Sequence, residues 1–204
     1  MKKNLVFLTG AGISADAGIP TYRDPDGLWT KYDQNIVSKK GSFETDTGKE
    51  FWSLVFKDLD VAKYTIAHKI IQDLEKDYNV IVITTNIDDL HEKAGSANVI
   101  HIHGLYNQFR EDGKTPNVVL FGEDVQSIGL AYSALHNADI FVSVGTSDNV
   151  MPASDFINEL GPNCKKIQFN KEKTKNTPLF DIFDKGKANT KMRYIRTHLN
   201  YLKE

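Results

Sequence analysis

The feature that most constrains this chain is a glycine-rich turn that follows directly after a short apolar run. The run is Leu5-Val6-Phe7-Leu8, and the turn contains Gly10 and Gly12. Four apolar residues before such a turn predict a buried parallel strand rather than a helix. The glycines let the backbone bend and approach a phosphate, because no Cβ stands in the way. If Ser14 and Ala15 open a helix, its first N–H groups and the positive end of its dipole would hold a pyrophosphate.

The glycine spacing Gly10-x-Gly12-x-x-Ala15 matches the dinucleotide-binding fingerprint, although an ordinary tight turn produces the same pattern. A standard fingerprint has an acidic residue about 20 positions further on, at the end of the next strand. This chain has instead a segment rich in Pro, Gly and Asp, residues 18–29, in which neither a helix nor a central strand is expected. Because the segment carries Tyr22 and Arg23, we interpret it as a mobile cover over a ligand site.

Later segments predict the rest of an α/β domain. Apolar residues recur at helical spacing within residues 67–74 and precede an apolar run at residues 80–83, so a helix is expected to pack on a second buried strand. Asn86 and Asp88 follow that strand at its carboxyl end, where open α/β sheets bind ligands. Asp89 is expected to cap the helix that comes next.

The glycine-rich turn is the first of several short blocks that occur in a recognisable order. They are Gly10-Ala11-Gly12-Ile13-Ser14, Gly18-Ile19-Pro20 with Tyr22-Arg23, Asn86-Ile87-Asp88 with Leu90-His91, His103-Gly104, Phe121-Gly122-Glu123, and Gly145-Thr146-Ser147. Together they resemble the motifs of sirtuins, the NAD-dependent protein deacylases, and the resemblance covers nearly the whole chain.

The resemblance implies a doubly wound parallel-sheet, Rossmann-like α/β domain that binds NAD, with a reduced second lobe. At 204 residues the chain suits one such domain, which would bury roughly 70% of the surface that its unfolded chain exposes. We therefore expect a single domain over residues 1–204, with small-lobe elements near residues 24–60 and 105–116. Within the first of these, residues 51–56 are expected to form a short helix that closes over the site.

The resemblance also assigns residues to the cofactor. Asp88 would hold the nicotinamide carboxamide, and Asn86 would position the ribose or a water beside the bond that breaks. The family usually has Gln where this chain has Thr85, and the shorter hydroxyl cannot make the same reach. Asn170 matches the contact to the adenosine ribose. The full set of cofactor contacts implied in this way is Gly10, Ala11, Gly12, Ser14, Ala15, Thr21, Tyr22, Arg23, Thr85, Ile87, Gly145, Thr146, Ser147, Asn170 and Ala188.

The implied partner is an acylated lysine of a protein or peptide, bound in the cleft between the two lobes. The acyl oxygen would attack the anomeric carbon as nicotinamide leaves, and His103 would take a ribose proton so that the hydroxyl can attack in turn. Water would then complete transfer to O-acyl-ADP-ribose. A substrate strand would pair with backbone near Phe121-Gly122 and Asp148-Asn149. The implied peptide contacts are Val119, Phe121, Gly122, Glu123, Asp148, Asn149 and Val150.

Two histidines, His101 and His103, alternate along a predicted strand and would point to one face. Such a pair could hold a metal ion. The alternative is that His103 acts as a general base, because imidazole titrates near neutrality, and the resemblance favours this interpretation. His101 is then a structural residue, and so is His68, which lies beside apolar positions on the predicted helix.

No zinc is expected in this chain. Sirtuins normally carry a zinc ribbon with two Cys pairs between the His-Gly and Phe-Gly-Glu motifs, whereas here residues 105–115 lie between them without a Cys. The single Cys164 can neither form a disulfide within the chain nor supply a thiolate cage alone. A turn at residues 111–114 predicts a two-stranded hairpin in place of the metal module.

Composition limits the other partners. The formal net charge is -2, and the lysine-rich stretches near residues 165–166 and 171–175 are interpreted as solvated faces, so no nucleic acid is expected. The apolar run after Lys2 and Lys3 is too short for a signal peptide, and no run reaches transmembrane length. We therefore expect no membrane association and a cytoplasmic location.

Two other functions use the same residues. One is an NAD glycohydrolase or ADP-ribosyltransferase, and the other is a non-catalytic NAD-binding module. His103 argues against the second, and the Phe121-Gly122-Glu123 block argues for a peptide groove. Where sirtuins that prefer succinyl-lysine carry Tyr and Arg over the acyl pocket, this chain has Trp52 and Val55. A neutral acyl group is therefore expected to be preferred.

Overall fold

The computed structural model describes residues 2–19, 31–125, 127–146 and 153–202. The predicted cover with Thr21, Tyr22 and Arg23, the Ser147 cofactor contact and the peptide contacts at Asp148, Asn149 and Val150 lie outside the described residues.

A six-stranded sheet forms the centre of the protein, and every neighbouring pair in it is parallel. Its strand order is β3-β2-β1-β6-β7-β8, so the order reverses between β1 and β6, which makes this pair the topological switch point. The predicted doubly wound fold is confirmed. The strands are β1 Asn4–Thr9, β2 Asn79–Thr84, β3 Val99–His101, β4 Gly104–Phe109, β5 Pro116–Val118, β6 Ile140–Val144, β7 Lys165–Asn170 and β8 Ile182–Lys185, of which β4 and β5 form a separate hairpin.

Helices cover both faces of the sheet, which explains why its strands are apolar runs. The α-helices are α1 Ala11–Ser14, α2 Gln34–Val37, α3 Asp46–Val61, α4 Ile66–Leu74, α5 Leu90–Ala94, α6 Ile128–His136, α7 Ala153–Asn158, α8 Ala188–Lys191 and α9 Ile195–Tyr201, with single 3-10 turns at Ala15–Ala17, Ser42–Glu44, Thr177–Leu179 and Met192–Tyr194. Leu5 and Phe7 of β1 face the core under α4, α8 and α9, whereas Val6 and Leu8 face the core under α6 and α7.

A third core lies apart from the two that flank the sheet. It joins Phe51, Trp52 and Val55 of α3 to Tyr106 of β4 and Val118 of β5. The predicted hairpin is present, and its strands β4 and β5 are antiparallel, with an irregular register between Leu105 and Phe109. Two parts of the chain that are distant in sequence therefore share one small core beside the cleft.

Three local predictions were wrong. The helix over residues 51–56 is not short, because α3 has 16 residues and begins at a Thr45 cap whose hydroxyl accepts the N–H of Gly48. The first helix begins at Ala11, directly after Gly10, so Ser14 and Ala15 end it and do not open it. Asp89 makes no side-chain cap at α5; Asp88 accepts the Leu90 N–H at 3.2 Å.

No helix in the described part of the chain is long and apolar enough to cross a membrane.

Candidate functional site

A cavity of about 930 Å³ lies at the carboxyl ends of β1, β2, β6 and β7, next to the switch point. This volume is in the range of pockets that hold small molecules and cofactors. Ala15 and Ala188 are not among the residues that line the cavity, and Ala188 is instead buried in the core under the sheet. The residues predicted from the sequence that do line it are Gly10, Ala11, Gly12, Ser14, Thr85, Asn86, Ile87, Asp88, His103, Val119, Phe121, Gly122, Glu123, Gly145, Thr146 and Asn170.

The glycines of the first turn pack against a second glycine turn after β6. A Cβ on Gly12 would lie 2.6 Å from the Cα of Gly145, and a Cβ on Gly10 would lie 2.9 Å from the Gly145 carbonyl oxygen. Gly145 also has a φ of 64°, a conformation that favours glycine. The approach of a phosphate was the expected reason for Gly10 and Gly12, but contact between two protein loops already requires glycine at both positions.

Hydrogen bonds hold these two loops together and use some of the N–H groups expected to bind phosphate. Gly10 donates its N–H to the Val144 carbonyl at 3.1 Å, and Gly12 donates to the Gly145 carbonyl at 3.0 Å. The Ile13 N–H donates to the Gly10 carbonyl at 3.0 Å. The N–H groups of Gly12 and Ile13 therefore form hydrogen bonds within the protein, although they were expected to bind phosphate.

A chain of hydrogen bonds joins Asn86, Ser14 and Asp88 at the bottom of the cavity. Asn86 Nδ2 donates to the Gly10 carbonyl at 3.2 Å and to Ser14 Oγ at 3.1 Å. Ser14 Oγ donates in turn to Asp88 Oδ2 at 2.9 Å. Because both N–H groups of the Asn86 amide are used, its Oδ1 is the atom left to accept a hydrogen bond from a ligand.

Asp88 is buried, and its environment acts on its pKa in both directions. Burial raises the pKa of the Asp88 carboxyl above its ordinary value, while the hydrogen bonds from Ser14 and from the Leu90 N–H oppose the shift. The nearby His101 also lowers it through its charge. The carboxyl is thus held in place by two protein donors.

Both ring nitrogens of His101 are hydrogen-bonded to other groups of the protein. Its Nδ1 lies 3.2 Å from the Asn86 carbonyl oxygen and its Nε2 lies 2.7 Å from Glu92 Oε1. Burial disfavours the charged form of the ring and so lowers its pKa. The hydrogen bond to Glu92 and the charge of Glu92 outweigh this effect and raise the pKa of His101 above its ordinary value. Both nitrogens donate, so His101 cannot also bind a metal ion, and no cluster of three or more His, Cys, Asp or Glu side chains suited to a metal occurs among the described residues.

His103 follows β3, which ends at His101, so the predicted strand through both histidines was wrong. Its Nδ1 lies 3.0 Å from the Thr85 carbonyl oxygen, which can only accept, so Nδ1 carries the proton and Nε2 keeps its lone pair. Burial lowers the pKa of His103, against the effect of the Thr85 carbonyl. At neutral pH the ring is therefore an uncharged base that borders the cavity.

Thr85 contributes to the site mainly through its backbone. Its hydroxyl donates to the Thr9 carbonyl at 3.3 Å, the same oxygen that accepts the Thr85 N–H at 3.0 Å. The hydroxyl is therefore directed to β1, in agreement with the limited reach expected from the sequence. Its carbonyl orients His103 as described.

The cavity has an apolar end built by the third core. Trp52 lines it, and the indole N–H donates to the Val37 carbonyl at 3.0 Å, which fixes the ring. Phe43 and Phe51 pack against the indole with centroids 5.2 Å away. Val55 does not line the cavity, contrary to the expectation, because it faces the interior of the third core.

The peptide contact expected at Phe121 is already occupied by the protein. The Phe121 N–H donates to the Ser38 carbonyl at 2.8 Å, and its carbonyl accepts the Lys40 N–H at 3.1 Å. The Phe121 N–H is therefore not available to a substrate strand, and the Phe121 carbonyl already accepts one hydrogen bond. Gly122, with a φ of 92°, borders the cavity beside it.

Glu123 is fixed at the same edge by a bidentate pair. Arg110 donates to both carboxylate oxygens, at 2.8 and 2.7 Å, and the Leu120 N–H donates at 2.9 Å. Sequence reasoning missed Arg110, because nothing in its local sequence shows that the hairpin brings it to Glu123. The glutamate therefore fixes the loop after β5.

Two buried histidines that sequence reasoning did not connect lie beneath the first turn. The rings of His68 and His91 meet edge to face, with centroids 4.6 Å apart. His68 Nδ1 accepts the Thr65 N–H at 3.2 Å, and His91 Nε2 lies 3.0 Å from Thr9 Oγ1. Burial lowers the pKa of His68 to about 4 and that of His91 well below its ordinary value, so both are neutral.

This pair predicts a loss of stability in mild acid. Between pH 6.5 and about 4 the unfolded chain binds a proton at His68 that the folded protein does not bind, so lowering the pH favours unfolding. The loss due to His68 alone is expected to be on the order of 3 kcal/mol. The free energy of unfolding, measured with urea at several pH values in this range, should depend less steeply on pH in His68→Gln than in the wild type. His136→Gln, on the surface, is the control, and equal slopes in wild type and His68→Gln would contradict the prediction.

Comparison with known proteins shows to which family this doubly wound protein, with its cavity at the switch point, belongs. The Sir2 family profile matches residues 10–111. A protein of Bdellovibrio bacteriovorus named NAD-dependent protein deacylase is 35% identical over 230 aligned positions, which cover 97% of each chain. A protein of the same name from Bacteroides thetaiotaomicron is 39% identical over 186 positions, covering 76% of this chain and 80% of the relative. The chain belongs to the Sir2 family.

Solved structures agree with this assignment. A Sir2 homologue in complex with NAD is 31% identical and has a TM-score of 0.85, covering 98% of this chain and 91% of that one. A serine-to-alanine variant of a Sir2 homologue with ADP-ribose has the same identity and TM-score, covering 98% and 94%. The Bdellovibrio alignment, at 230 positions, is longer than the 204 residues of this chain, so that relative has residues without a counterpart here.

Proposed function

We propose that this protein is an NAD-dependent protein lysine deacylase that releases nicotinamide and O-acyl-ADP-ribose. The observation that carries the proposal is the state of His103, an uncharged imidazole with its Nε2 lone pair available at the cavity that also holds Asn86 and Asp88. A binding module would not require a base with a defined tautomer beside a buried carboxyl. The relatives named as deacylases support the same reaction.

The donors and acceptors along the cavity fit NAD. Asp88 is a buried acceptor for a carboxamide N–H, and Asn86 Oδ1 can accept a ribose hydroxyl or a water. Thr146 and Asn170 lie at the other end, at the carboxyl ends of β6 and β7, where a second ribose would lie. Bound NAD would supply the anomeric carbon that receives the acyl group.

The protein's own groups position the reactants and move one proton. The chain of bonds from Asn86 through Ser14 to Asp88 keeps these side chains in one arrangement, so they need not reorganise during the reaction. His103 Nε2 takes a ribose proton, and the Thr85 carbonyl stabilises the imidazolium that forms, because it already accepts the Nδ1 proton. Thr85 thus assists the base through its backbone.

The substrate side of the cleft is proposed to lie between the third core and the loop after β5. The acyl chain would enter the apolar end at Trp52, and peptide backbone would lie against Gly122. The Phe121 N–H does not pair with the substrate here, because it already donates to the Ser38 carbonyl. The cytoplasmic location expected from the sequence stays a prediction.

One assay tests the proposed function. The protein is incubated with NAD, with and without an acetyl-lysine peptide, and nicotinamide release is measured. Release that depends on the peptide, with O-acetyl-ADP-ribose formed in equal amount, is the expected result. Release without peptide would indicate a glycohydrolase, and NAD binding without any release would indicate a binding module.

A panel of acyl groups tests the apolar end of the cleft. Acetyl-lysine and butyryl-lysine peptides are expected to react at least about tenfold faster than succinyl-lysine, because a buried carboxylate without a partner is strongly unfavourable. Trp52 offers no charge there, and Lys57 lines a different groove. A higher kcat/KM for succinyl-lysine than for acetyl-lysine would contradict this placement of the acyl group.

The absence of a zinc site stays a prediction that elemental analysis can test. Purified protein is expected to contain much less than one zinc per chain and to keep its Tm in the presence of a chelator, because the sequence has a single Cys. About one zinc per chain, removed by chelator with a fall in Tm, would be the contrary result.

A further inference from the structure

The hairpin of β4 and β5 is joined to the substrate edge of the cleft through one arginine. Arg110 follows β4 directly, and its backbone N–H donates to the Thr115 carbonyl at 2.8 Å, which closes the hairpin. The hairpin contains no Cys, so thiolate–metal bonds cannot hold it together. The position of the loop that follows β5 must therefore come from other contacts.

The guanidinium of Arg110 donates to four acceptors. Nη1 donates to Glu123 Oε1 at 2.8 Å, and Nη2 donates to Glu123 Oε2 at 2.7 Å. Nη2 also donates to the Val118 carbonyl at 2.7 Å, and Nε donates to the Pro116 carbonyl at 3.3 Å. One planar group thus bonds both to β5 and to the carboxylate beyond it. A lysine ammonium, which is a point charge on a flexible stem, cannot reproduce this fork.

Glu123 links the guanidinium to the edge of the cavity. Its side chain is only 14% exposed, and its Oε2 also accepts the Leu120 N–H at 2.9 Å. Burial would raise the pKa of the Glu123 carboxyl, but the bonds from Arg110 and the Leu120 N–H lower it below its ordinary value, so the pair is ionised at neutral pH. Without Arg110 a mostly buried carboxylate would lose its guanidinium partner, and the loop is expected to move so that water reaches it.

Packing does not hold this part of the edge. The backbone of Phe121 is hydrogen-bonded to the segment that precedes α3. The next residue, Gly122, has a φ of 92°, and an added Cβ there would meet no described atom within 4 Å beyond its chain neighbours. Gly122 and Glu123 both line the cavity. The position of Gly122 is therefore set by Phe121 on one side and by the Arg110–Glu123 pair on the other.

We propose that Arg110 is a positioning residue for the acyl-lysine peptide, because through Glu123 it holds the Gly122 edge of the cleft in the arrangement that the peptide backbone binds. This inference rests on the proposed function, in which the peptide lies against Gly122. Arg110 itself lines the groove on the outer side of the third core and not the cavity, so it acts through Glu123, which lines both. An edge that is already ordered lowers the entropic cost of binding the peptide.

The test is steady-state deacylation of an acetyl-lysine peptide at saturating NAD, together with calorimetric binding of ADP-ribose. It compares the wild type with Arg110→Gln, Arg110→Lys and a control. The control is Arg196→Gln, which removes an arginine of α9 that is paired with Asp77 at 2.7 Å and does not line the cavity. The Tm of each protein is measured first, and all assays are run well below the lowest value.

Arg110→Gln is expected to raise the KM for the peptide about tenfold, while kcat and the affinity for ADP-ribose stay within about threefold of the wild type. Arg110→Lys keeps the charge without the fork, so an increase of about threefold is expected. A peptide KM of Arg110→Gln within about twofold of the control, or an equal loss of affinity for ADP-ribose, would overturn this inference alone. If the wild type releases no nicotinamide with the peptide, the proposed function fails as well.

A double variant tests whether Arg110 acts through Glu123. Glu123→Gln alone removes the carboxylate and is expected to raise the peptide KM. Adding Arg110→Gln to it is expected to have little further effect, because the two residues act as one pair. If the two effects instead multiply in the double variant, Arg110 acts independently of Glu123 and the proposal is wrong.

Discussion

His103→Ala is expected to reduce deacylation by about 10²- to 10⁴-fold, while NAD binding and Tm stay close to those of the wild type. The large loss is expected because Nε2 is the base at the cavity. The fold should survive because, among the described residues, the ring bonds only to the Thr85 carbonyl. Single-turnover kinetics with an acetyl-lysine peptide, together with NAD binding by calorimetry, measure the two effects separately.

The matched control for this variant is His136→Ala, which removes a surface histidine bound to Glu159. Its activity should stay within about twofold of the wild type, as is usual for surface changes away from a site. Deacylation by His103→Ala within a few-fold of this control would show that another group takes the ribose proton. A fall in Tm that accounts for the lost activity would also contradict the assignment.

Gly145→Ala is expected to lower the free energy of unfolding by about 2–5 kcal/mol and to weaken NAD binding. Its φ of 64° is unfavourable for alanine, and the new Cβ would lie 2.6 Å from the Gly12 Cα and 2.7 Å from the Ile13 nitrogen. These neighbours are backbone atoms, so the two loops must separate. Because both loops line the cavity, the same movement would change the NAD site.

Gly129→Ala is the control for this prediction. Gly129 lies in helix α6, and no described atom outside the local helix backbone and its chain neighbours lies within 4 Å of an added Cβ. Alanine is therefore expected to stabilise the protein by about 0.5–1 kcal/mol. Urea unfolding and NAD calorimetry on both variants would compare them directly. If Gly145→Ala were as stable as Gly129→Ala, the close contact between the two loops would not exist in solution.

The resemblance to sirtuins made much of the site predictable. Its motif residues include His103, Asn86 and Asp88, which the fold brings to one cavity because the ends of parallel strands meet at the same edge of a sheet. It could not show that both N–H groups of Asn86 are used by Gly10 and Ser14. That bond network joins residues more than 70 positions apart, so no local pattern records it.

Periodicity and short motifs in the sequence determined the apolar parallel strands, the turns after them, the β4–β5 hairpin and the family. What only the tertiary structure decided are contacts between distant segments. Gly12 must be glycine because Gly145 packs on it, and the backbone groups of Phe121 are used by Ser38 and Lys40. The lysines after Asn170 border the cavity because β7 ends there. The physical reason is that hydrophobic periodicity specifies which face of an element is buried, whereas the partner of a polar group depends on how the elements pack.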